Sequence, residues 1–143
     1  MRELKRSAMV NRPVAEAWEV VNDIAAYPEF VPGCESAEVL ERGDQVIVAR
    51  LGVRRGMLRT QFTTRNLQAP PHRVLMQLVE GPFRALDGEW NLLPVGESGC
   101  QIELKLRYQF SNPVKGALLQ PLFAETADQM VRAFVRRLQA RNA

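Results

Sequence analysis

The sequence predicts an α+β domain in which a curved antiparallel sheet is wrapped around one long C-terminal helix. Three observations lead to this prediction. The middle of the chain alternates apolar and polar residues in short runs, as half-buried strands do. Turn residues separate these runs by only a few positions, so neighbouring strands are expected to be antiparallel. The last part of the chain has apolar residues at near-helical spacing, and it is the one large amphipathic element able to cover the dry face of the sheet.

Composition and charge are those of an ordinary globular protein. The 143 residues are 46% hydrophobic and 24% charged, which favours one folded domain over a disordered chain. The net charge of +3 permits contact with an anionic surface such as RNA or lipid headgroups. The charged N-terminus lacks the apolar segment of a signal peptide, and no run approaches the ~18 apolar residues of a membrane span. We therefore expect a cytoplasmic protein that is at most peripheral to the inner membrane.

The N-terminal part predicts one strand and one short helix ahead of the main sheet. Leu4 to Val10 alternates as a strand, and Pro13 suits the first turn of a helix, where its missing N–H costs nothing. Apolar residues then recur at helical spacing from Val14 to Val21. The segment from Tyr27 to Gly33 contains two prolines and a glycine, which argue against regular structure, yet it also carries large apolar residues. We expect this segment to fold over the interior, where it could act as a lid.

Six further strands are predicted in the middle of the chain, each bounded by turn residues rich in glycine or proline. They are Ser36–Leu40, Gln45–Leu51, Leu58–Leu67, Arg73–Val79, Ala85–Leu93 and Cys100–Phe110. The last of these has the clearest alternation, with one dry and one wet face. The prediction is therefore a sheet of six or seven strands with one face to be covered.

The terminal helix is predicted from Val114 to Arg141. Its apolar stripe includes Val114 and Leu118 in the first turns and Phe134 near the end. Pro121 lies inside this segment, where proline costs about 3 kcal/mol, so we expect a kink or a break and a longer piece that begins near Pro121. A curved sheet around such a helix can leave an apolar tunnel between the two.

Apolar side chains on the inner faces of the sheet and the helix form the candidate ligand-binding cavity. Composition does not separate a cavity wall from ordinary core, because both need inward-facing apolar residues. The candidate lining residues are Tyr27, Phe30, Phe62, Met76, Phe83, Trp90, Tyr108, Met130 and Phe134.

A second candidate site is a basic surface on two neighbouring predicted strands and their turn. A guanidinium group binds phosphate through two parallel hydrogen bonds, so this cluster predicts a surface for RNA or for lipid headgroups. Its members are Arg50, Arg54, Arg55, Arg59 and Arg65. The arginines near the end of the terminal helix have a simpler explanation, because they complement the helix dipole.

Signals for catalysis are weak. The single histidine, His72, lies in a turn, and no carboxylate stands beside it at metal-ligand spacing. No nucleophile elbow, dinucleotide-binding loop or phosphate-binding loop occurs. Acid–base chemistry needs a titratable group in the cavity. Among the predicted inward positions, only Tyr108 and Cys100 are titratable. We predict no catalytic residue, no metal and no cofactor other than a bound lipid.

Four groups of residues occur together in an order that resembles a known superfamily. They are Asp23…Tyr27-Pro28…Phe30…Pro32…Cys34, then Phe62-Thr63-Thr64-Arg65-Asn66, then Gly81-Pro82-Phe83…Leu86…Gly88…Trp90, and then Met130-Val131…Ala133-Phe134. The sequence is similar to the START-like superfamily of polyketide cyclases, dehydrases and lipid transport proteins. Within it, the resemblance is to the branch of coenzyme Q-binding proteins and RatA-type ribosome association toxins, and it covers nearly the whole chain.

The resemblance implies a helix-grip fold and a single START-like domain over residues 1–143. Its first implied function is non-enzymatic binding of ubiquinone or a related isoprenoid lipid between sheet and helix, in support of respiration. An alternative is a RatA-type toxin that binds the large ribosomal subunit and blocks subunit association. A third is an enzyme like the polyketide cyclases and dehydratases. The expected partners are thus an isoprenoid quinone or other lipid, the large ribosomal subunit or a membrane surface, and not DNA. One fold hosts many functions, so the residues leave the choice open.

Overall fold

The computed structural model describes residues 1–141 of the chain. Within them, seven strands form one antiparallel sheet in the order β1-β7-β6-β5-β4-β3-β2. The strands are β1 (Arg2–Val10), β2 (Cys34–Arg42), β3 (Val46–Arg55), β4 (Leu58–Ala69), β5 (Arg73–Glu80), β6 (Phe83–Val95) and β7 (Gly99–Phe110). The helices are α1 (Val14–Asn22), α2 (Tyr27–Phe30) and α3 (Pro113–Gln139), and a 3-10 turn (Ile24–Ala26) precedes α2. The predicted α+β helix-grip fold is confirmed.

The strands from β2 to β7 follow one another along the chain, and a short turn joins each to the next. Strand β1 pairs with β7. Gly56 and Gly96 have φ of 63° and 64°, a conformation that suits glycine in tight hairpin turns. The sequence predicts that β3 ends before Gly52, but the strand continues through it to Arg55. The reason is that Gly52 pairs with Gln61 of β4 and with β2, so the ladder continues on both sides.

Helix α3 lies across the inner face of the sheet and buries residues such as Val131 and Phe134. In its first turns the predicted stripe is wrong, because Val114 and Leu118 are exposed while Gly116 and Leu119 are buried. A Cβ atom added at Gly116 would lie 3.0 Å from the Cβ atom of Phe110. The missing side chain therefore lets the helix approach the end of β7 closely and determines which side faces the sheet.

The predicted break at Pro121 is also wrong, because α3 is continuous from Pro113 to Gln139. Pro121 lies on the exposed side of the helix, so water can hydrogen-bond the carbonyl group that the missing N–H leaves free. Leu119 and Leu122 on the opposite side pack against Val53 and hold the two turns in line. No helix among residues 1–141 is long and apolar enough to cross a membrane.

The segment predicted to be irregular contains the short helix α2. Pro28 stands in its first turn, where a proline N–H is not needed, so the prolines do not prevent the helix. The Tyr27 hydroxyl donates a hydrogen bond to the Val21 carbonyl, and the Val31 N–H donates one to the Tyr27 carbonyl at 2.8 Å. Tyr27 and Val31 are both buried, so α2 covers one end of the interior as a packed element.

Candidate cavity and basic face

A narrow apolar cavity lies between the inner face of the sheet and α3. Its volume is about 60 Å³. That is room for a few water-sized groups, and well below the roughly 300 Å³ at which drug-sized ligand pockets begin. Five of the predicted residues line it, and they are Tyr27, Phe62, Met76, Trp90 and Met130.

Two of the predicted cavity residues, Phe30 and Phe134, lie outside the lining and pack with Tyr27 instead. The ring of Phe134 is 5.0 Å from that of Trp90 and 5.3 Å from that of Tyr27, measured between centroids. The Arg137 guanidinium lies over the Phe30 ring at 4.6 Å, which adds a cation–π contact. Phe134 is fully buried among these rings, so it belongs to the core under α2 and not to the cavity wall.

Phe83 and Tyr108 are also outside the lining, in an aromatic cluster at the opposite end. Tyr108 lies 4.7 Å and Phe83 lies 5.1 Å from the ring of Phe123, again between centroids. The Tyr108 hydroxyl donates a 2.7 Å hydrogen bond to Gln120 Oε1 on α3. Together with Phe62 and its neighbours, these rings close the cavity toward the start of α3.

Polar residues outside the predicted set line the middle of the cavity. Thr64, Asn66 and Thr126 are buried members of the lining. The Thr64 hydroxyl donates a 2.8 Å hydrogen bond to Asn66 Oδ1, and the Thr126 hydroxyl donates one of 2.8 Å to the Leu122 carbonyl. The signal for Thr64 and Asn66 was that they share the parity of Phe62 along β4, since residues two apart face the same side of a strand. The apolar wall therefore includes an amide that a ligand could contact.

The titratable groups near the cavity are poorly suited to proton transfer. Burial, with smaller contributions from Cys34 and Asp23, raises the pKa of Tyr27 above its ordinary value, and its hydroxyl is already bonded to Val21. Burial raises the pKa of the Cys34 thiol to about 11, so this cysteine is neutral at pH 7. Cys100 is also buried and is not part of the lining.

The basic face consists of four of the five predicted arginines. Arg54 of β3 stands directly opposite Arg59 of β4 in the ladder. Arg50 and Arg65 share their side of the sheet, because they lie at even spacing from Arg54 and Arg59 and face away from α3. Arg55 has the opposite parity and lies at the hairpin end. The sheet thus collects on one outer surface residues that are up to 15 positions apart in the sequence.

Two members of the basic face have loose acidic partners on or beside β2. Arg50 lies 3.7 Å from Glu38, and Arg59 lies 3.4 Å from Glu35. Exposed pairs of this kind contribute only about 0–1 kcal/mol, so they do not hold the guanidinium groups in place. Arg54 and Arg65 have no ion pair with any residue in the range 1–141.

The outer surface of the other half of the sheet is neutralised internally. Glu103 of β7 lies 3.5 Å from both Lys5 and Lys105, and Glu89 of β6 lies 2.8 Å from Arg73. Burial alone would raise the pKa of Glu103, but the hydrogen bond from Asn91 and the two lysine charges lower it below its ordinary value. The charges of Glu89 and Glu103 are therefore matched on that half, whereas Arg54 and Arg65 of the basic face have no acidic partner among residues 1–141.

Comparisons with known proteins agree with this architecture. The family model for polyketide cyclase / dehydrase and lipid transport matches residues 10–135. The chain is 40% identical over 134 residues to the ribosome association toxin RatA of Pseudomonas aeruginosa. The aligned residues cover 94% of this chain and 93% of the relative. It is 25% identical over 141 residues to the mitochondrial coenzyme Q-binding protein COQ10 of Drosophila melanogaster, covering 96% of this chain and 58% of that relative.

Among solved structures, the ZhuI aromatase/cyclase from Streptomyces sp. R1128 matches with a TM-score of 0.86 at 20% identity, covering 96% of this chain and 93% of that chain. At this identity the likeness shows the fold alone. The higher identity to the ribosome association toxin places the chain nearer to that relative than to the coenzyme Q-binding protein. The chain belongs to the polyketide cyclase / dehydrase and lipid transport family of START-like proteins, in the branch of ribosome association toxins and coenzyme Q-binding proteins.

Proposed function

We propose that this protein acts in the cytoplasm as a single domain that associates with the ribosome, and that the basic face is its contact surface. This is the alternative raised by the sequence, and it takes precedence over quinone binding. The observation that carries it is the alignment of Arg50, Arg54, Arg59 and Arg65 on one outer surface of β3 and β4. The name of the Pseudomonas relative, ribosome association toxin, supports the same function.

The physical argument rests on the kind of charge that ribosomal RNA presents. Phosphate groups accept two parallel hydrogen bonds from arginine, and each neutralised phosphate releases counterions. Two of the four guanidinium groups are free of acidic partners among residues 1–141, and the other two have only loose, exposed ones. Exchanging such an exposed glutamate for a phosphate therefore costs little free energy. We propose the large ribosomal subunit as the partner and obstruction of subunit association as the consequence.

The first test is sedimentation of the full chain with purified large and small subunits at several salt concentrations. We expect the protein to pellet with the large subunit at low salt. If four phosphates are contacted, affinity should fall by roughly 50- to 150-fold between about 50 and 200 mM salt. Binding that ignores salt would contradict a contact made through the basic face, and absence of binding to either subunit would contradict ribosome association itself.

The cavity supports a second candidate function, the binding of a small apolar ligand. The specific observation is that the buried pair Thr64 and Asn66 interrupts the apolar lining of the cavity and can orient a polar group of a ligand. At about 60 Å³ the cavity is too small for a quinone ring and its isoprenoid tail, so ubiquinone would require α3 to move away from the sheet. This makes a small ligand, or the tip of a larger one, the better candidate.

Filling the cavity tests this second function. Ala127 lines the cavity from α3, whereas Ala117 is exposed on the same helix, so Ala127→Leu and Ala117→Leu form a matched pair. Each protein would be purified from its native host, extracted with organic solvent and analysed by mass spectrometry. We expect a small apolar compound in the wild type and Ala117→Leu but at least tenfold less in Ala127→Leu. Extracts without any bound compound would contradict the cavity function.

We also propose that the protein is not an enzyme, although its fold is shared with an aromatase/cyclase. Acid–base chemistry needs a titratable group within reach of the substrate. Of the side chains that line the cavity within residues 1–141, Tyr27 is the titratable one, and burial keeps it protonated. Its hydroxyl hydrogen is directed to the Val21 carbonyl, so Tyr27 does not offer this proton to a substrate.

A further inference from the structure

The end of the molecule where α3 begins carries large apolar side chains that nothing in residues 1–141 covers. Met57, in the turn between β3 and β4, is 99% exposed. On the first turns of α3, Val114 is 73% and Leu118 is 61% exposed. Met9, Leu93 and Val95 are also exposed at the opposite end of the sheet, but each of them is less exposed than these three.

Core packing places the turn and the helix side by side. Leu58, which follows Met57, packs against a small buried cluster formed by Val53 with Leu119 and Leu122 of α3. The Ser111 N–H, just before α3, donates a 3.0 Å hydrogen bond to the Pro82 carbonyl and brings the turn between β5 and β6 to the same end. Met57, Val114 and Leu118 are therefore exposed at the same end of the molecule, and we name these three residues the apolar tip.

Positive charges surround the apolar tip. Arg54 and Arg55 precede the turn, and Lys115 lies between Val114 and Leu118 on the helix. All three cations are exposed, and neither residues 54–59 nor residues 113–118 contain an acidic residue. Two acidic residues lie at this end, namely Glu35, which is 3.4 Å from Arg59, and Glu80, which precedes the turn between β5 and β6.

We propose that this end docks on an anionic phospholipid bilayer. The apolar tip would enter the boundary between headgroups and acyl chains, while Arg54, Arg55 and Lys115 contact the headgroups. Apolar side chains ringed by cations are typical of proteins that lie on membranes, because burial of apolar area and attraction to anionic lipid act together.

The alternatives fit the tip less well. An RNA backbone would satisfy the cations but would offer no apolar environment to Met57 and Leu118. A protein partner would need a preformed pocket for each side chain and roughly 800 Å² of contact on each side, whereas a bilayer is deformable and accepts a protruding turn and helix end.

The test is cosedimentation of the full chain with vesicles of phosphatidylcholine alone or mixed with phosphatidylglycerol. The double variant Met57→Asp/Leu118→Asp removes the tip. Met9→Asp/Leu93→Asp is a matched control that adds the same charge at two exposed apolar residues, 59% and 45% exposed, at the opposite end of the sheet. We expect the wild type and the control to bind the anionic vesicles at least tenfold better than neutral ones. The tip variant should bind the anionic vesicles at least tenfold less tightly than the wild type.

Sedimentation with the large ribosomal subunit separates this proposal from the proposed function. We expect the tip variant to keep its ribosome binding, which would also show that it is folded. Failure of the wild type to bind anionic vesicles, or equal vesicle binding by wild type and tip variant, would overturn the lipid proposal. If the tip variant instead lost ribosome binding while the wild type ignored vesicles, the tip would belong to the ribosome contact and the lipid proposal would be wrong.

Discussion

Replacing Phe134 by alanine is expected to lower the free energy of unfolding by about 3–5 kcal/mol, as large aromatic-to-alanine changes in a core do. Phe134 is fully buried on α3, and its ring contacts those of Tyr27, Phe30 and Trp90. The substitution removes the shared neighbour of three aromatic rings and leaves a void that rigid surroundings fill only in part. A loss of this size is a large share of the 5–15 kcal/mol of a typical domain.

Urea unfolding of the wild type and Phe134→Ala at neutral pH measures this difference. Val114→Ala on the same helix is the control, because its side chain is exposed and its removal should change stability by less than about 0.5 kcal/mol. If Phe134→Ala cost no more than about 1 kcal/mol, the ring would line accessible space, as the sequence analysis predicted, and would not be part of solid core.

Reversing two charges on the basic face is expected to reduce affinity for the large ribosomal subunit by about 100-fold or more. Arg54→Glu/Arg65→Glu changes the two arginines of the basic face that have no ion pair among residues 1–141. A hydrogen bond to a charged group contributes about 1.5 kcal/mol or more, and two of them correspond to about two powers of ten in affinity. The dependence of binding on salt should also weaken, with the slope of log K against log salt smaller by about two.

The matched control is Arg132→Glu/Arg136→Glu, which makes the same change in net charge at two exposed positions of α3. Sedimentation at low salt compares the three proteins. We expect the control to bind within a few-fold of wild type, since general attraction to RNA falls equally in both variants. Equal losses in the two variants would mean that only net charge matters, and the basic face would not be the contact surface.

The sheet was predictable because its signals are local. Alternation in each strand and glycines in the turns depend on a few neighbouring residues, and positive φ at Gly56 and Gly96 matches the turns they predict. Strand ends were less predictable. Gly52 has the sequence character of a turn residue, yet pairing on both sides keeps it in β3, and that pairing involves residues distant in the chain.

The basic face and the cavity also differ in how far the sequence predicts them. Strand parity alone places Arg50, Arg54, Arg59 and Arg65 on one side of the sheet, and only the ladder shows that Arg54 and Arg59 stand directly opposite each other. Parity also turned Thr64 and Asn66 inward, but polar residues on a strand are normally taken for its wet face. Their burial depends on α3 and the sheet closing over them.

The sequence by itself determined the fold class, the family resemblance, the absence of strong catalytic motifs and the inward or outward parity of most residues. Only the tertiary structure decided how the inward aromatic rings share their space. Phe83 and Tyr108 pack with Phe123 at one end, and Phe30 and Phe134 pack with Tyr27 at the other, which leaves about 60 Å³ between them. The physical reason is that periodicity gives the direction of a side chain, whereas a cavity is the volume that all side chains together leave unfilled.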